Sequence, residues 1–155
     1  MRYVVQKELI ASNLNKMRRH CPTAEIIGVV KGNGYGLGLV PLAKLLCENG
    51  VETLAVSRLD EAVELRSSGI TASILLLSPV FDEKSAKTAI ENKLIVTVDS
   101  LATAKLLNDT ADAMQLAATA HIMLDTGFAR FGFMPGEEAD IIEAYKKCTS
   151  VHFEG

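Results

Sequence analysis

The sequence predicts an α/β fold of repeated parallel (β/α) units of a TIM-type barrel, incomplete, with about five to six of the eight strands such a barrel takes. Three observations carry this. Short apolar runs alternate along the chain with amphipathic stretches of about ten residues, the pattern of right-handed βαβ units and a parallel sheet. The first run, Ile26, Ile27, Val29 and Val30, has no polar face, which suits a strand covered on both sides. It also delivers a lysine, Lys31, to its carboxyl end, where the loops of such sheets converge and ligands sit.

Taken in order, Leu9, Ile10, Leu14 and Met17 recur at helical spacing, so residues 6–20 read as an amphipathic helix that Pro22 stops. Residues 32–38, with four glycines, read as a flexible loop beyond the first strand. Residues 39–49 carry Val40, Ala43, Leu46 and Cys47 on one side, ahead of the stop signal Asn49-Gly50. Strands follow at 53–56, 73–77, 94–98 and 119–124, separated by helices at 59–68, 82–92 and 99–108. Asp99 or Ser100 is a plausible cap for the last of these. A helix over 135–147 and a sixth strand from 151 to 153 complete the pattern.

A closed barrel takes eight strands and typically about 250 residues, so residues 1–155 read as a partial N-terminal barrel domain. An open doubly wound sheet is the complete-domain alternative.

Composition narrows the function classes. With 48% hydrophobic and 23% charged residues, the chain belongs with globular proteins, not disordered or fibrous ones. No window approaches the roughly 18 to 20 continuous apolar residues of a membrane span, and the N-terminus lacks a signal-peptide core; the expectation is a cytoplasmic protein with no membrane partner. The net charge is −3 and no basic stripe with interleaved aromatics appears, which argues against nucleic acid. Cys21, Cys47 and Cys148 are widely spaced and read as buried or idle thiols, with no metal site. His20, His121 and His152 are scattered, the last two reading as strand-flanking residues without a chemical role.

The chemistry concentrates at Val29-Val30-Lys31-Gly32-Asn33-Gly34-Tyr35-Gly36-Leu37-Gly38. Neither dinucleotide nor P-loop spacing is present, because no G-x-G-x-x-G forms and no Gly-Lys pair comes after the glycines. A lysine before the glycines suits an amine at a strand end acting as a covalent partner, with room beyond it for a cofactor or substrate. Desolvation at the end of an apolar strand would lower its pKa toward a usable amine. A lysine snorkelling to the sheet rim is the structural alternative.

This stretch resembles the V-V-K-A-N-A-Y-G-H-G signature of the alanine racemase family, pyridoxal phosphate enzymes with an N-terminal (β/α)8 barrel. The run from Leu59 to Ile70, Leu-Asp-Glu-Ala-Val-Glu-Leu-Arg-Ser-Ser-Gly-Ile, is similar to the family's L-E-E-A-x-x-L-R-x-x-G-I helix. The run from Leu124 to Gly132, Leu-Asp-Thr-Gly-Phe-Ala-Arg-Phe-Gly, resembles its D-T-G-M-G-R-L-G segment. The resemblance implies pyridoxal 5'-phosphate held as a Schiff base on Lys31, which then serves as the base on one face of the substrate α-carbon. It implies that Tyr35 contacts the cofactor phosphate, and that Arg130 lies near the cofactor ring and binds the substrate carboxylate. The second base is a tyrosine of a C-terminal β-domain, contributed in this family by the partner subunit and absent from this chain. Asp125 is expected to orient its loop by hydrogen bonds. The aspartic-protease reading of Asp125-Thr126-Gly127 fails, because such a site needs two carboxylates sharing a proton.

Three departures stand out. Leu37 replaces the family's histidine, glycines at 32 and 34 replace alanines and imply a looser loop, and Met123 takes the place of a lysine that orients the arginine in many members. The function expected from the resemblance is racemisation of an amino acid, alanine first, L to D for cell-wall precursor supply, by an intact protein of which this chain is a fragment inactive alone. Two open sheet edges imply a homodimer or other self-association. A non-catalytic pyridoxal phosphate-binding module and an aldolase-type Schiff-base lysine are the alternatives.

Overall fold

The computed structural model describes residues 4–155; the first three residues, on which part of the leader reading rests, lie outside the described residues. The elements in order are α1 (Lys7–His20), β1 (Ile27–Val29), α2 (Lys31–Tyr35), α3 (Leu39–Glu48), β2 (Thr53–Val56), α4 (Leu59–Ser67) and β3 (Ser73–Leu76). The remainder are α5 (Glu83–Glu91), β4 (Ile95–Val98), α6 (Leu101–Ala113), β5 (Ala118–Ile122), α7 (Glu138–Lys147) and β6 (Val151–Phe153).

The strands pair in the order β1-β2-β3-β4-β5-β6, each parallel to the next. A doubly wound sheet reverses its strand order at a switch point, and no reversal occurs here. The sheet is therefore wound in one sense, as in a barrel, and the open doubly wound alternative is set aside. All strand carboxyl ends lie on one rim.

One hydrophobic cluster joins the sheet to its helices. Leu54, Val56, Ile74, Val96 and Val98 are fully buried, and small residues on the helices, Ala62, Ala86, Ala89 and Ala104, let the helix backbones approach. Each fully buried leucine or valine stabilises the fold by about 1.5–3 kcal/mol. Polar clamps tie the layer down. Arg18 on α1 donates from Nη2 to the carbonyls of Asn49 and Gly50 at 2.7 and 2.8 Å. Arg66 on α4 donates to four carbonyls beyond its own helix.

Several elements differ from the sequence expectation for identifiable reasons. Within the described residues β1 pairs on one side, with β2, and Ile27 and Val29 are 43% and 39% exposed. Helix α6 runs past residue 108 to Ala113, because Asn108 spends its Oδ1 on the Ser150 N–H at 3.0 Å instead of ending the helix, and Leu107 and Ala111 stay buried. Helix α7 begins at Glu138, not at Pro135, since Glu137 Oε2 accepts the Met134 N–H at 2.7 Å and shapes residues 134–137 into a turn. Ser100, not Asp99, caps α6, with Oγ accepting the Thr103 N–H at 3.2 Å.

Candidate functional site

Lys31 is half-buried at the carboxyl end of β1. The ladder reaches its neighbour: the Val30 N–H donates to the Ala55 carbonyl at 2.8 Å, which seats the start of the next segment beside β2. That segment is not the flexible loop the glycines suggested. Gly32, Asn33, Gly34 and Tyr35 have φ of 63°, 53°, 62° and 54°, so α2 is a left-handed turn. It is closed by the Gly34 N–H donating to the Val30 carbonyl at 2.8 Å and the Gly36 N–H to the Gly32 carbonyl at 3.2 Å. L-residues enter that region at a cost of about 1–2 kcal/mol each, and glycine enters it freely.

Glycines at 32 and 34 therefore fit this backbone better than alanines do, and the looser-loop expectation is corrected. A Cβ at Gly32 meets nothing within 4 Å, which isolates the backbone term. Gly32→Ala is expected to lower stability by about 1 kcal/mol, read as a lower urea midpoint at unchanged slope. The left-handed path leaves the Tyr35 side chain 64% exposed on the same turn as Lys31.

Arg130 belongs to a second rim segment, residues 123–133, whose two ends are pinned together. The Phe133 N–H donates to the Met123 carbonyl at 2.8 Å and the Asp125 N–H to the Phe133 carbonyl at 2.9 Å, with Phe133 itself buried in the core. This close return requires Gly132: a Cβ there would stand 2.5 Å from the Asp125 nitrogen and 2.7 Å from the Leu124 carbonyl carbon. Within the loop, Asp125 Oδ1 accepts the N–H groups of Gly127, Phe128 and Ala129 at 2.8, 2.9 and 3.1 Å. It does what the sequence reading expected, orienting the loop by hydrogen bonds. Arg130 is exposed, its guanidinium carbon 5.0 Å from the Phe128 ring centroid and 5.7 Å from that of Phe131. Both rings thus lie within cation–π range of the guanidinium, a group whose planar fork suits a carboxylate or phosphate.

The backbone N–H groups of Gly127 and Ala129, with that of Phe128, hold the Asp125 carboxyl below the usual carboxylate range. A folded pKa below the unfolded one stabilises the loop above the unfolded value and is lost as pH falls through the folded value. The amides of Gly127, Phe128 and Ala129 are expected to stay protected from exchange down to about pH 4 and to lose protection only in stronger acid. Asp125→Ala should abolish that protection at neutral pH.

The structure thus brings Lys31 and Tyr35 together on one turn and puts Arg130 on the same rim, at the end of β5. Among the described residues no group of three metal-ligating side chains forms. His121 and His152 lie within β5 and β6 instead of flanking them. Cys148 and half-buried Cys47 have thiols pushed up by burial, in keeping with idle thiols, while Cys21 is exposed. A cleft of about 510 Å³ opens at the opposite end of the sheet, lined by Lys44, Cys47, Glu48 and Thr71 among others. It lies at the amino ends of β2 and β3, away from every strand carboxyl end.

The family model described as alanine racemase, N-terminal domain, matches residues 5–155. The chain belongs to that family. An alanine racemase of Methanococcus maripaludis is 36% identical over 148 residues, covering 94% of this chain and 39% of that protein. A solved alanine racemase of Clostridium difficile 630 superposes with a TM-score of 0.85 at 39% identity, over 92% of this chain and 38% of that one. A histidine racemase of Leuconostoc mesenteroides, at 24% identity and a TM-score of 0.83, shares the fold over 94% of this chain and 39% of its own. The chain spans about two fifths of the length of these relatives.

Two residues that sequence reasoning did not single out pin the turn beside Lys31. Asn33 accepts the Leu39 N–H on its Oδ1 at 2.9 Å, capping α3, and donates its own N–H to Glu61 Oε1 at 3.0 Å. Glu61 carried a legible signal: it shares the buried stripe of α4 with Ala62 and Leu65, a position where an acidic residue is out of place.

Proposed function

We propose that this chain is the N-terminal (β/α) barrel domain of a pyridoxal phosphate-dependent amino-acid racemase whose substrate is alanine. The supporting observation is the rim itself: an amine at the end of β1, a phenol on the left-handed turn beside it, and a guanidinium near two aromatic rings beyond β5. This donor set fits the aldehyde and phosphate of pyridoxal phosphate and a substrate carboxylate. In a sheet closed by eight strands, β5 stands diametrically across from β1, so Lys31 and Arg130 would face each other over the mouth.

Pyridoxal phosphate, when bound, supplies the electron sink that makes the substrate α-proton removable. Lys31 would attach it covalently through Nζ and, once displaced by the amino acid, take the α-proton on one face. The Tyr35 hydroxyl would donate to the phosphate. Arg130 would hold the substrate carboxylate through paired N–H donors, with the Phe128 and Phe131 rings within cation–π range of it. Return of a proton to the opposite face needs a second base. We assign it to a tyrosine of a C-terminal β-domain in a partner subunit, so that the active unit is a homodimer and this chain alone is inactive. Among the described residues no helix is long and apolar enough to cross a membrane, which fits the proposed cytoplasmic setting.

The test is to mix the full-length protein with pyridoxal phosphate, reduce with borohydride and map the labelled peptide, with α-deuterium exchange of L-alanine followed in parallel. Label on Lys31 with exchange supports the racemase. Label without exchange would leave a cofactor-binding module, and label elsewhere or none would overturn both.

A further inference from the structure

Glu61 is a carboxylic side chain, 8% exposed, on the first turn of α4. Its Oε1 accepts the Asn33 N–H, and its Oε2 is buried without a hydrogen-bond partner. Burying a carboxyl with half its acceptors unused is costly, and an apolar residue would fill the same stripe against Ala62 and Leu65. The cost is accepted for what the used oxygen holds. Asn33 lies at the centre of a left-handed run in which two of four residues are not glycine, and such a run persists only where its surroundings over-determine it. Three polar groups of Asn33 are engaged: its N–H by Glu61, its Oδ1 by the Leu39 N–H, and its carbonyl by the Gly38 N–H at 3.0 Å. Of these, only the Glu61 contact comes from outside the segment leading into α3. It ties the turn after Lys31 to α4, the helix packed on β2 and β3.

We propose that Glu61 is a positioning residue for Lys31. By holding the Asn33 amide it fixes the left-handed turn, and with it the place of the Lys31 backbone and of Tyr35, two residues to either side of the tethered amide. One oxygen suffices for this task, so an amide should replace the acid while an isosteric hydrocarbon should not. The inference rests on the reading of Lys31 as the cofactor-bearing residue.

The experiment compares Glu61→Gln and Glu61→Leu in the full-length protein. Three readouts are followed: kcat and KM for alanine, the pH midpoint of the absorption band of lysine-linked cofactor, and hydrogen exchange of the Asn33 amide in cofactor-free protein. Glu61→Gln should stay close to the parent in all three. Glu61→Leu should fold at least as stably, exchange the Asn33 amide faster, shift the pH midpoint and lower kcat by up to about 100-fold, as for a displaced catalytic group, with KM little changed. A parent-like kcat and pH midpoint in Glu61→Leu would overturn the proposal, as would Glu61→Gln failing as badly as Glu61→Leu. Absence of lysine-linked cofactor in the parent would instead overturn the Lys31 reading, and the Asn33 exchange rate would still report whether the tether exists.

Discussion

Replacing Lys31 with alanine is expected to abolish covalent cofactor attachment and to lower racemisation of alanine by the full-length protein by at least about 1,000-fold, the combined scale of a lost general base and a lost covalent anchor. The substitution is clean because the backbone of the turn does not depend on the side chain. The bonds that close it run from the Gly34 N–H to the Val30 carbonyl and from the Gly36 N–H to the Gly32 carbonyl, and Asn33 holds Glu61 and Leu39. Lys31 is itself only half-buried and forms no ion pair among the described residues. Melting temperature and circular dichroism should therefore match those of the cofactor-free parent, while the visible cofactor band no longer forms. Exchange of the alanine α-hydrogen at the parental rate in that variant would refute the assignment.

Replacing Arg66 with alanine is expected to be the most destabilising single change away from the hydrophobic core, about 2–4 kcal/mol. Its guanidinium donates to the carbonyls of Ile70 and Ala72 at 3.0 and 2.6 Å, and to those of Asn92 and Lys93 at 2.9 and 3.2 Å. One cation thus gathers the C-terminal end of α4, the run into β3 and the turn from α5 to β4. Burial lowers its pKa from the ordinary value, yet a guanidinium stays charged in proteins and brings five donors in a fixed fork. Alanine strands carbonyls that belong to no ladder. Arg66→Lys should recover only part of the loss, because an ammonium cannot reach carbonyls in several directions at once. Urea unfolding checks both variants, and a midpoint equal to the parent's in Arg66→Ala would sink the clamp.

The order of elements and the place of Lys31 at a strand carboxyl end were legible in the sequence because they depend on local pattern. Apolar runs broken by ten-residue helical periods specify βα units, and a lysine ending the first run reaches the strand carboxyl end whatever the later strands do. The ordered motifs around Lys31, Leu59 and Arg130 were enough to point to the alanine racemase family. Asp125 was also readable, since an aspartate ahead of a glycine-containing loop satisfies backbone N–H groups within a few residues of itself.

Only the tertiary structure decided the rest, in each case because the partner lies far along the chain. Four glycines in seven residues are compatible with any backbone path, and it took the distant Glu61 carboxyl on the Asn33 amide, together with the cap on α3, to select the left-handed one. The length of α6 turned on Ser150, forty-two residues beyond Asn108. The clamp role of Arg66 likewise appears only in three dimensions, where four carbonyls drawn from two separate segments gather around it.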